Sequence, residues 1–406
     1  MRITYFITGI GLSGGPMTLY NFMNGLVKTG HEVFVVTLDE YFRWDFDTYK
    51  KHTNKKKTFG EKLTDFRVKQ YYRARYYLNA FLKACSFKTQ IGKDKVLSIT
   101  DRLISNYAKL GIDSDVLIAT MTYTGDAVYK LGCGKKLVMH NQHFEELVFG
   151  NDENARALLR ALTLLPFHHI VNCAWLDKMF QYNYGITGTV ITPGIDTSIF
   201  DSEVNPNKYL GAKKIRLITY CDPNRKFKGS DQQLNILEKL CTKNKNVEIS
   251  IYGIDPKTTR FPYTFLGWIS QKQLADFYAK SHLLLSFSWY ESFPLPPIEA
   301  MACGCAVVAG KYGTEDYLID NETGIVLNPF NADEAVAKIE ELINQPEKML
   351  KLAQNGREMS KKFRWETEVE KLNKFLTNLP TPRSVNISEI QKGNLSEMDK
   401  IYEQKN

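Results

Sequence analysis

Two glutamates eight positions apart are the first residues whose types and spacing could do chemistry. Glu291 follows an apolar run that ends near Ser288, and Glu299 follows Pro296 and Pro297, which can start a helix. The sequence therefore predicts one carboxylate on the loop after a strand and the other in the first turn of the next helix. Such a pair could grip hydroxyls at both ends of a sugar–phosphate–ribose ligand, with the helix dipole facing the phosphates. The alternative is that Glu299 only caps its helix and Glu291 is solvated.

A basic loop supplies the second candidate group. Arg225, Lys226 and Lys228 lie directly after the first strand predicted in the second half of the chain, and Gly229 follows them. Ligands of open α/β sheets bind at the carboxyl ends of the strands, so we expect this loop to lie near Glu291. Its cations could neutralise a diphosphate there. A solvated surface loop is the alternative.

A glycine-rich loop near the N-terminus is the third candidate. Gly9, Gly11, Gly14 and Gly15 lie between a predicted strand and a helix predicted over 17–29. Glycines let the backbone approach a ligand closely, and the helix N-terminus that follows favours an anionic group. Loops of this kind bind phosphate in many folds, so this one alone identifies no cofactor.

The elements that must position these groups follow an alternating pattern. Short apolar runs rich in β-formers alternate with helical stretches, which is typical of parallel α/β folds. Strands are predicted over Arg2–Thr8, Glu32–Thr37, Val116–Thr120, Lys136–His140, His169–Cys173, Ile215–Tyr220, Val247–Tyr252, Leu283–Ser288 and Ala306–Ala309. The pattern over 332–379 is almost wholly helical. A polar linker over 194–212 favours a boundary there, so we predict domains over 1–200 and 201–380 and a polar tail over 381–406.

Composition narrows the class of protein. The 406 residues are 43% hydrophobic and 24% charged, which excludes a disordered chain, collagen and a coiled coil. No apolar run reaches the ~18 residues of a membrane-spanning helix, and the N-terminus lacks the pattern of a signal peptide. Seven scattered cysteines favour a reducing compartment, and Cys303 and Cys305 are predicted to be small buried thiols. These features predict a soluble cytoplasmic protein.

Positive charge is concentrated in residues 50–95, which we call the basic segment. It holds 14 Lys or Arg and three acidic residues, a net charge of +11, whereas the rest of the chain carries −3. From 61 to 83 there is no Pro or Gly, and Phe66, Tyr77 and Phe81 stand among Arg and Lys at spacings compatible with an amphipathic helix. Two interpretations stay open: a solvated helix packed on its domain by an aromatic face, or a surface that meets anionic lipid headgroups. Nucleic acid is less favoured, because no nucleic-acid-binding motif is present.

With these groups placed, the chain resembles the family 4 retaining glycosyltransferases of the GT-B fold. The resemblance covers nearly all of residues 1–378 and rests on several motifs in order. They are Gly14-Gly15, Gly30-His31-Glu32-Val33, Pro193-Gly194-Ile195-Asp196, Lys228-Gly229, Gly267-Trp268-Ile269-Ser270, Glu291-x7-Glu299 and Phe363-Arg364-Trp365-Glu366. The resemblance implies two Rossmann-like, doubly wound α/β domains with a cleft between them and a helical C-terminal end. The first would be the acceptor-side domain, with a basic aromatic helical insertion over 41–110. The second would bind the donor, and its final helix would cross back to the first.

The resemblance also implies roles for the candidate residues. Glu299 would hold the ribose hydroxyls, Glu291 would face the transferred sugar, and Lys228 with a nearby arginine would contact the diphosphate. Whether Arg225 or Lys226 reaches the phosphate stays open. The family transfers sugar with retention of configuration and uses no metal or other cofactor, because cations and a helix N-terminus stabilise the leaving group. Which nucleotide the donor sugar carries, UDP, GDP or dTDP, stays open.

Further contacts with the donor are implied at other loops. Phe293 and Leu295 would offer backbone groups to the sugar and phosphate. Gly15 would bring the N-terminal loop to the same phosphates, and the main chain near Ile269 would meet the base.

A histidine is expected at the end of a strand in the first domain. His140 is the first candidate and His143 the second; the ring would hydrogen-bond the sugar or the acceptor, and a purely structural imidazole is the alternative. The run Asp113-Ser114-Asp115 has the Asp-x-Asp form of metal-dependent transferases of the other main fold. It only precedes a strand, and we predict a turn.

The sequence thus predicts a retaining, metal-independent glycosyltransferase that moves a sugar from a nucleotide-sugar donor to a glycan or lipid-linked acceptor. The expected setting is synthesis of a bacterial-type surface polysaccharide or glycoconjugate, with the basic segment at the inner face of the cell membrane. A nucleotide-sugar epimerase of the same fold and a non-catalytic sugar-nucleotide-binding partner subunit are the alternatives.

Overall fold

The computed structural model describes residues 1–8, 14–44, 93–132, 135–150, 152–257 and 259–379. The basic segment up to residue 92, including the helix predicted over 61–83, lies outside these ranges. The polar tail and part of the glycine-rich loop, residues 9–13, lie outside them as well.

The first sheet has seven strands in the order β3-β2-β1-β4-β5-β6-β7. Its strands are β1 (Arg2–Phe6), β2 (Glu32–Val36), β3 (Tyr41–Trp44), β4 (Val116–Ala119), β5 (Lys136–Asn141), β6 (His168–Val171) and β7 (Thr189–Val190). The accompanying helices are α1 (Gly14–Lys28), α2 (Lys93–Leu110), α3 (Thr122–Leu131), α4 (Glu145–Phe149), α5 (Glu153–Thr163) and α6 (Ala174–Tyr184). Strand β1 pairs in parallel with β2 and β4, and β3 is antiparallel to β2. The strand order turns back between β1 and β4, so a topological switch point lies there.

The sequence pattern explains why these strands form the centre of the sheet. Every residue from Ile3 to Phe6 and from Val116 to Ala119 is buried. Strands of parallel sheets are continuously apolar because helices cover both faces. Helix α1 begins at Gly14 and ends before Gly30, whose φ of 87° is the left-handed conformation that commonly ends helices.

The second sheet has six parallel strands in the order β10-β9-β8-β11-β12-β13. They are β8 (Ile215–Cys221), β9 (Val247–Gly253), β10 (Thr264–Gly267), β11 (Leu283–Ser286), β12 (Ala306–Ala309) and β13 (Ile325–Val326). The register pairs Leu217 of β8 with Ile249 of β9 and with Leu283 of β11. The order turns back between β8 and β11, which places the second switch point between the two loops that carry Lys228 and Glu291.

Helices surround this second sheet and make up the C-terminal end of the described chain. They are α7 (Pro206–Leu210), α8 (Ser230–Lys243), α9 (Gln271–Lys280), α10 (Leu295–Ala302), α11 (Ala332–Ile343), α12 (Pro346–Ser360) and α13 (Trp365–Thr377). The helical pattern predicted over 332–379 is confirmed by the last three. The stretch predicted as a polar linker over 194–212 is not wholly irregular, because it contains the short helix α7. Asn205 caps this helix: its side-chain oxygen accepts a hydrogen bond from the Asn207 N–H.

The chain divides into two compact units, Met1–His168 and His169–Thr377. The domain boundary predicted after residue 200 falls later in the chain than this division. Each unit has its own apolar core, around Leu117 and Leu137 in the first and around Leu217 and Leu285 in the second. Across the part of the chain with described coordinates, no helix combines the length and the apolar character needed to span a membrane.

Candidate functional site

The loop after β8 packs tightly against the chain after β11. Gly229 has a φ of 65°, and a methyl group there would run into the carbonyl oxygen of Phe287. The Trp289 N–H donates to the carbonyl oxygen of Phe227 over 2.8 Å. Only glycine can adopt this left-handed φ and also fit against the Phe287 carbonyl at position 229 without strain. The Lys228-Gly229 step therefore holds the basic loop against the segment that leads to Glu291.

Lys228 and Glu291 form an ion pair at this junction. The Nζ of Lys228 lies 2.6 Å from Oε2 of Glu291, and the Ser288 hydroxyl donates to Oε1 of the same carboxylate over 2.6 Å. The two charged side chains are only 16% and 15% exposed. The Glu291 N–H donates to the carbonyl oxygen of Tyr312. Side chain and backbone together fix the carboxylate beside the second switch point.

Glu299 lies on α10, one residue further from the start of the helix than predicted. The helix begins at Leu295 rather than at Pro296, so Glu299 is its fifth residue rather than its fourth. Its carboxyl has no hydrogen-bond or ion-pair partner among the residues that the structure describes. Burial raises the pKa of Glu299 to about 8, so the protonated form predominates at neutral pH. The carboxyl is available to a ligand rather than committed to capping its helix.

Four aromatic side chains form a row of neighbouring rings in the order Tyr278, Tyr252, Tyr220 and Trp268. The hydroxyls of Tyr252 and Tyr278 lie 2.8 Å apart. Burial, and to a smaller degree the charge of Glu299, raises the pKa of both hydroxyls. The ring of Tyr220 is 5.3 Å from that of Tyr252 and 6.5 Å from that of Trp268, which is 74% exposed. Sequence reasoning missed the three tyrosines, although Tyr220 and Tyr252 stand at the ends of two predicted strands.

Arg225 is already held by acidic and hydroxyl groups of its own loop. Its Nε donates to Oδ2 of Asp222 over 2.6 Å, and its guanidinium donates to the Tyr220 hydroxyl over 3.1 Å. The Lys226 ammonium is exposed and has no ion pair within the described ranges of the chain. An anion that uses Arg225 or Lys228 must therefore share the cation with Asp222 or Glu291.

The segment that opens α10 combines a buried aromatic with several prolines. Phe293 is 6% exposed, and its ring centroid lies 5.2 Å from that of Tyr317, whose hydroxyl donates to the Pro294 carbonyl. Prolines have no N–H, so Leu295 is the one residue of positions 294–297 that can donate from its main chain. The ring of Phe293 faces the core, and only its backbone can serve a ligand. Ile269 follows the exposed Trp268 and precedes Ser270, which caps α9.

The residues predicted in the first unit lie at the ends of β1 and β5. The Gln142 side chain donates to the Gly15 carbonyl oxygen over 2.9 Å, which ties the start of α1 to the loop after β5. His140 is wholly buried, with its ring centroid 5.4 Å from that of Phe22. His143 is exposed. The structure thus brings Gly15 beside the histidine-bearing loop and leaves the His140 ring inside the core.

The Asp-x-Asp run has structural contacts. Oδ2 of Asp115 accepts the Arg2 N–H over 2.7 Å, and Asp113 forms an ion pair with Lys135. Both aspartates therefore secure the entry to β4. Within the described ranges, no three His, Cys, Asp or Glu side chains stand close enough to hold a metal ion. The thiols of Cys303 and Cys305 are buried, as predicted, and burial raises the pKa of both to about 12.

The second unit carries a match to a known family. Residues 201–359 match the family described as "Glycosyl transferases group 1", and this segment includes Lys228, Glu291 and Glu299. An uncharacterized glycosyltransferase of Methanocaldococcus jannaschii is 26% identical over 261 residues, which covers 62% of this chain and 70% of that protein.

Solved structures match almost the whole chain. Sucrose-phosphate synthase from Thermosynechococcus elongatus aligns with a TM-score of 0.67 at 16% identity, covering 93% of this chain and 98% of its own. The HepE protein of Anabaena, solved in complex with UDP-glucose, aligns with a TM-score of 0.65 at 15% identity, covering 93% of this chain and all of its own. The fold is the GT-B fold. The predicted pair of parallel-sheet α/β halves and the helical C-terminal region of a GT-B protein are confirmed.

Proposed function

We propose that this GT-B protein is a retaining, metal-independent glycosyltransferase of the family 4 type. It would move a sugar from a nucleotide-sugar donor to a glycan or lipid-linked acceptor in surface polysaccharide or glycoconjugate synthesis. The observation that carries the proposal is the Lys228–Glu291 pair at the switch point of the sheet, together with the buried carboxyl of Glu299 on the helix that follows β11. All three residues lie in the segment that matches the glycosyl transferases group 1.

Glu299 is the proposed anchor of the nucleotide. A protonated carboxyl can donate to one ribose hydroxyl and accept from the other, and its pKa of about 8 keeps it protonated at neutral pH. The hydroxyls of Tyr252 and Tyr278, whose pKa values the charge of Glu299 helps to raise, hydrogen-bond each other. The exposed Trp268 and the main chain of Ile269 lie at the end of β10, where we place the base.

Lys228 and Arg225 are the proposed diphosphate ligands, with Lys226 as a third cation. Their positions are set by Glu291 and Asp222 before any ligand arrives. Fixed cations stabilise charge as it develops on a leaving group, without the cost of reorganising at the moment of reaction. The N-terminus of α8, which starts directly after Gly229, adds positive potential at the same place. These groups would supply the electrophilic assistance that a metal ion gives in other transferases.

Glu291 is the proposed contact for the transferred sugar. Ser288 and Lys228 hold its two oxygens from different directions, so the carboxylate keeps one orientation. Backbone groups of Phe293 and Leu295 would complete the sugar and phosphate contacts. In the first unit, Gly15 is the proposed phosphate contact. Of the two predicted histidines, His140 is buried and His143 is exposed. We therefore favour His143 as the histidine that would contact a ligand.

The donor class and the setting rest on two further observations. HepE of Anabaena was solved with UDP-glucose bound, which supports a nucleotide-sugar donor for a chain of the same fold. The net charge of +11 in the basic segment supports a cytoplasmic protein that lies against anionic lipid and receives a lipid-linked acceptor.

A thermal-shift screen of UDP-, GDP- and dTDP-sugars tests the proposal. A bound donor at a hundred times its Kd stabilises the folded state by about 2.7 kcal/mol, so one nucleotide class should raise the melting temperature. Glu299→Ala should abolish that shift, whereas Glu347→Ala, an exposed glutamate on α12, should keep it. Product analysis then separates the alternatives: a new glycoside supports transfer, an epimerised nucleotide sugar supports the epimerase, and binding without product supports a non-catalytic subunit.

A further inference from the structure

Trp268 follows the carboxyl end of β10, an edge strand of the second sheet, with its indole open to solvent. The residue is 74% exposed, the largest fraction among the large hydrophobic residues that the structure describes. Gly267 before it has a left-handed φ of 67°, and Ser270 after it caps α9 by accepting the Gln273 N–H. The backbone is therefore fixed on both sides of Trp268, and the indole extends from a short, defined turn.

A row of residues across the sheet joins Trp268 to the strand that precedes the basic loop. The register pairs Tyr220 of β8 with Tyr252 of β9, and Tyr252 with Gly267 of β10. Neighbouring strands lie about 4.8 Å apart, so the ends of β8 and β10 are about 10 Å apart. The rings of Tyr220 and Trp268 meet edge to face across this distance, with centroids 6.5 Å apart. One tyrosine side chain therefore connects the indole to β8.

The hydroxyl of Tyr220 contacts two residues of the basic loop. It accepts from the Arg225 guanidinium over 3.1 Å and donates to Oδ2 of Asp222 over 3.2 Å. Burial and, second, the charge of Asp222 raise the pKa of Tyr220 to about 12, so the hydroxyl keeps the proton that it donates. Since the hydroxyl is held from two sides, the ring that packs against Trp268 has a fixed position. Trp268 and Arg225 contact the same tyrosine at its two ends.

The groups along this row suit a ligand with a flat ring at one end and an anion at the other. The face of an exposed indole stacks on flat aromatic rings, and a guanidinium binds phosphate oxygens. The charge of Glu299 helps to raise the pKa of Tyr252, the middle residue of the row, so its carboxyl lies within electrostatic range and can meet hydroxyls there. A flat ring, hydroxyls and phosphate, in this order, are the parts of a nucleoside diphosphate.

We propose that Trp268, held edge to face by Tyr220, is a stacking platform for the base of the bound nucleotide. This inference rests on the proposed function and deepens it, because it assigns the base to one side chain. Every base has a flat face on which an indole can stack. The contact therefore contributes affinity for the nucleotide and leaves the choice of base to hydrogen-bonding groups of the site.

Calorimetric titration of the full chain with UDP, GDP and dTDP tests the proposal. Stacking of a base on an aromatic side chain contributes roughly five- to hundredfold in affinity, so Trp268→Ala should weaken binding of the tightest nucleotide at least about fivefold. Trp268→Phe keeps a flat ring and should recover most of that loss. Tyr182→Ala, which removes another exposed aromatic on α6, is the matched control and should keep wild-type affinity. Equal affinities of Trp268→Ala and Tyr182→Ala would overturn the proposal.

Two further measurements distinguish stacking from a structural role of Trp268. A stacked base quenches indole fluorescence, so the nucleotide should quench the emission of the wild type, and Trp268→Phe should lose that quenching while it still binds. In a transfer assay, Trp268→Ala should raise the KM for the donor and leave kcat within about twofold, because the base contact is made equally in the ground and transition states. Quenching that persists in Trp268→Phe, or a lower kcat at unchanged KM, would contradict stacking.

The same measurements separate this inference from the proposed function. If nucleotide binding depends on Trp268 but no glycoside forms, the transferase assignment fails and the stacking platform stands. If a glycoside forms and Trp268→Ala binds the donor as tightly as Tyr182→Ala, only the stacking platform fails.

Discussion

Lys228 and Glu291 show how one contact can position two candidate groups at once. Each side chain is largely removed from water, and each has the other as its ion-pair partner at 2.6 Å. A buried charge without a partner is costly, so the two groups hold each other in place. A bound diphosphate would compete with Glu291 for the ammonium group of Lys228, so ligand binding would weaken this ion pair. The proposed catalytic cation and the proposed sugar contact are therefore positioned by a single interaction.

Replacing Lys228 should lower turnover more than replacing any other lysine or arginine. Loss of one preorganised charge-stabilising group costs about 10²–10³ in kcat in well-studied cases. We expect Lys228→Ala to fall in that range in a steady-state transfer assay. Lys243→Ala, at the far end of α8 and 61% exposed, is the matched control and should retain wild-type turnover. Equal kcat values for Lys228→Ala and Lys243→Ala would refute the proposed catalytic role of Lys228.

Glu299 should make stability depend on pH in a defined direction. Its pKa in the folded protein is about 8, above the usual value of 4.5, so folding favours the neutral carboxyl. The stabilisation is complete below the unfolded-state pKa and is lost as the pH rises through about 8. Between pH 5 and 8, the melting temperature of Glu299→Gln should therefore fall less than that of the wild type in differential scanning calorimetry. Parallel pH profiles for the two proteins would contradict the assignment.

At the scale of elements, the loop from β8 to α8 is what brings the basic residues to the end of β11. Gly229 allows this approach because a side chain there would meet the Phe287 carbonyl. The strand order places β8 beside β11, so residues more than sixty positions apart in sequence form one site.

Gly229→Ala should damage both stability and donor binding. A left-handed conformation costs a non-glycine residue roughly 1–2 kcal/mol, and the clash with Phe287 adds to that cost. We expect a melting temperature lower by several degrees and a weaker response to nucleotide sugars. Gly211→Ala is the matched control at another helix end, because its added methyl would meet only Asn207 at an ordinary 3.5 Å. Equal melting temperatures for Gly229→Ala and Gly211→Ala would show that position 229 does not require glycine.

At the scale of the whole molecule, the proposed donor groups lie in the second unit and the excess charge lies in the first half of the chain. The second unit balances its cations with nearby acids, as Arg225 with Asp222 shows. The basic segment carries the surplus of +11. Donor chemistry and attachment to an anionic surface would therefore depend on different parts of the chain.

Removal of divalent ions tests the proposed metal-independent mechanism. We expect transfer to continue at an unchanged rate in excess EDTA, because in the proposed mechanism Lys228 and its neighbours would supply the positive charge that stabilises the leaving diphosphate. A transferase known to require Mn²⁺, assayed in the same buffer, serves as the control. Activity that EDTA abolishes and a divalent ion restores would sink the metal-independent mechanism.

The basic segment should bind anionic liposomes in a salt-sensitive way. Each basic residue near such a surface contributes about 1 kcal/mol, so neutralising five of them should lower binding at least tenfold. The variant changes Lys55, Lys56, Lys57, Arg73 and Arg75 to Gln. The matched control changes five exposed lysines of the second half to Gln, namely Lys213, Lys214, Lys272, Lys280 and Lys351. Co-sedimentation that is equal for the two variants would refute a role for the basic segment.

The sequence by itself determined the architecture and the identity of the main candidates. Alternating apolar runs and helical stretches specify a parallel α/β fold because they record which faces are buried. The Glu291-x7-Glu299 spacing and the Lys228-Gly229 step place the candidate side chains after two neighbouring strands of the second sheet. These are local features, and local features can be read along the chain.

Only the tertiary structure decided which of these groups meet and how each is held. It paired Lys228 with Glu291, added Ser288 to that carboxylate and committed Arg225 to Asp222. It buried His140 and the carboxyl of Glu299, whose pKa burial raises to about 8. The reason is physical: burial, pKa and ion pairing depend on atoms that strand order brings together from distant positions, and no spacing along the chain contains that information.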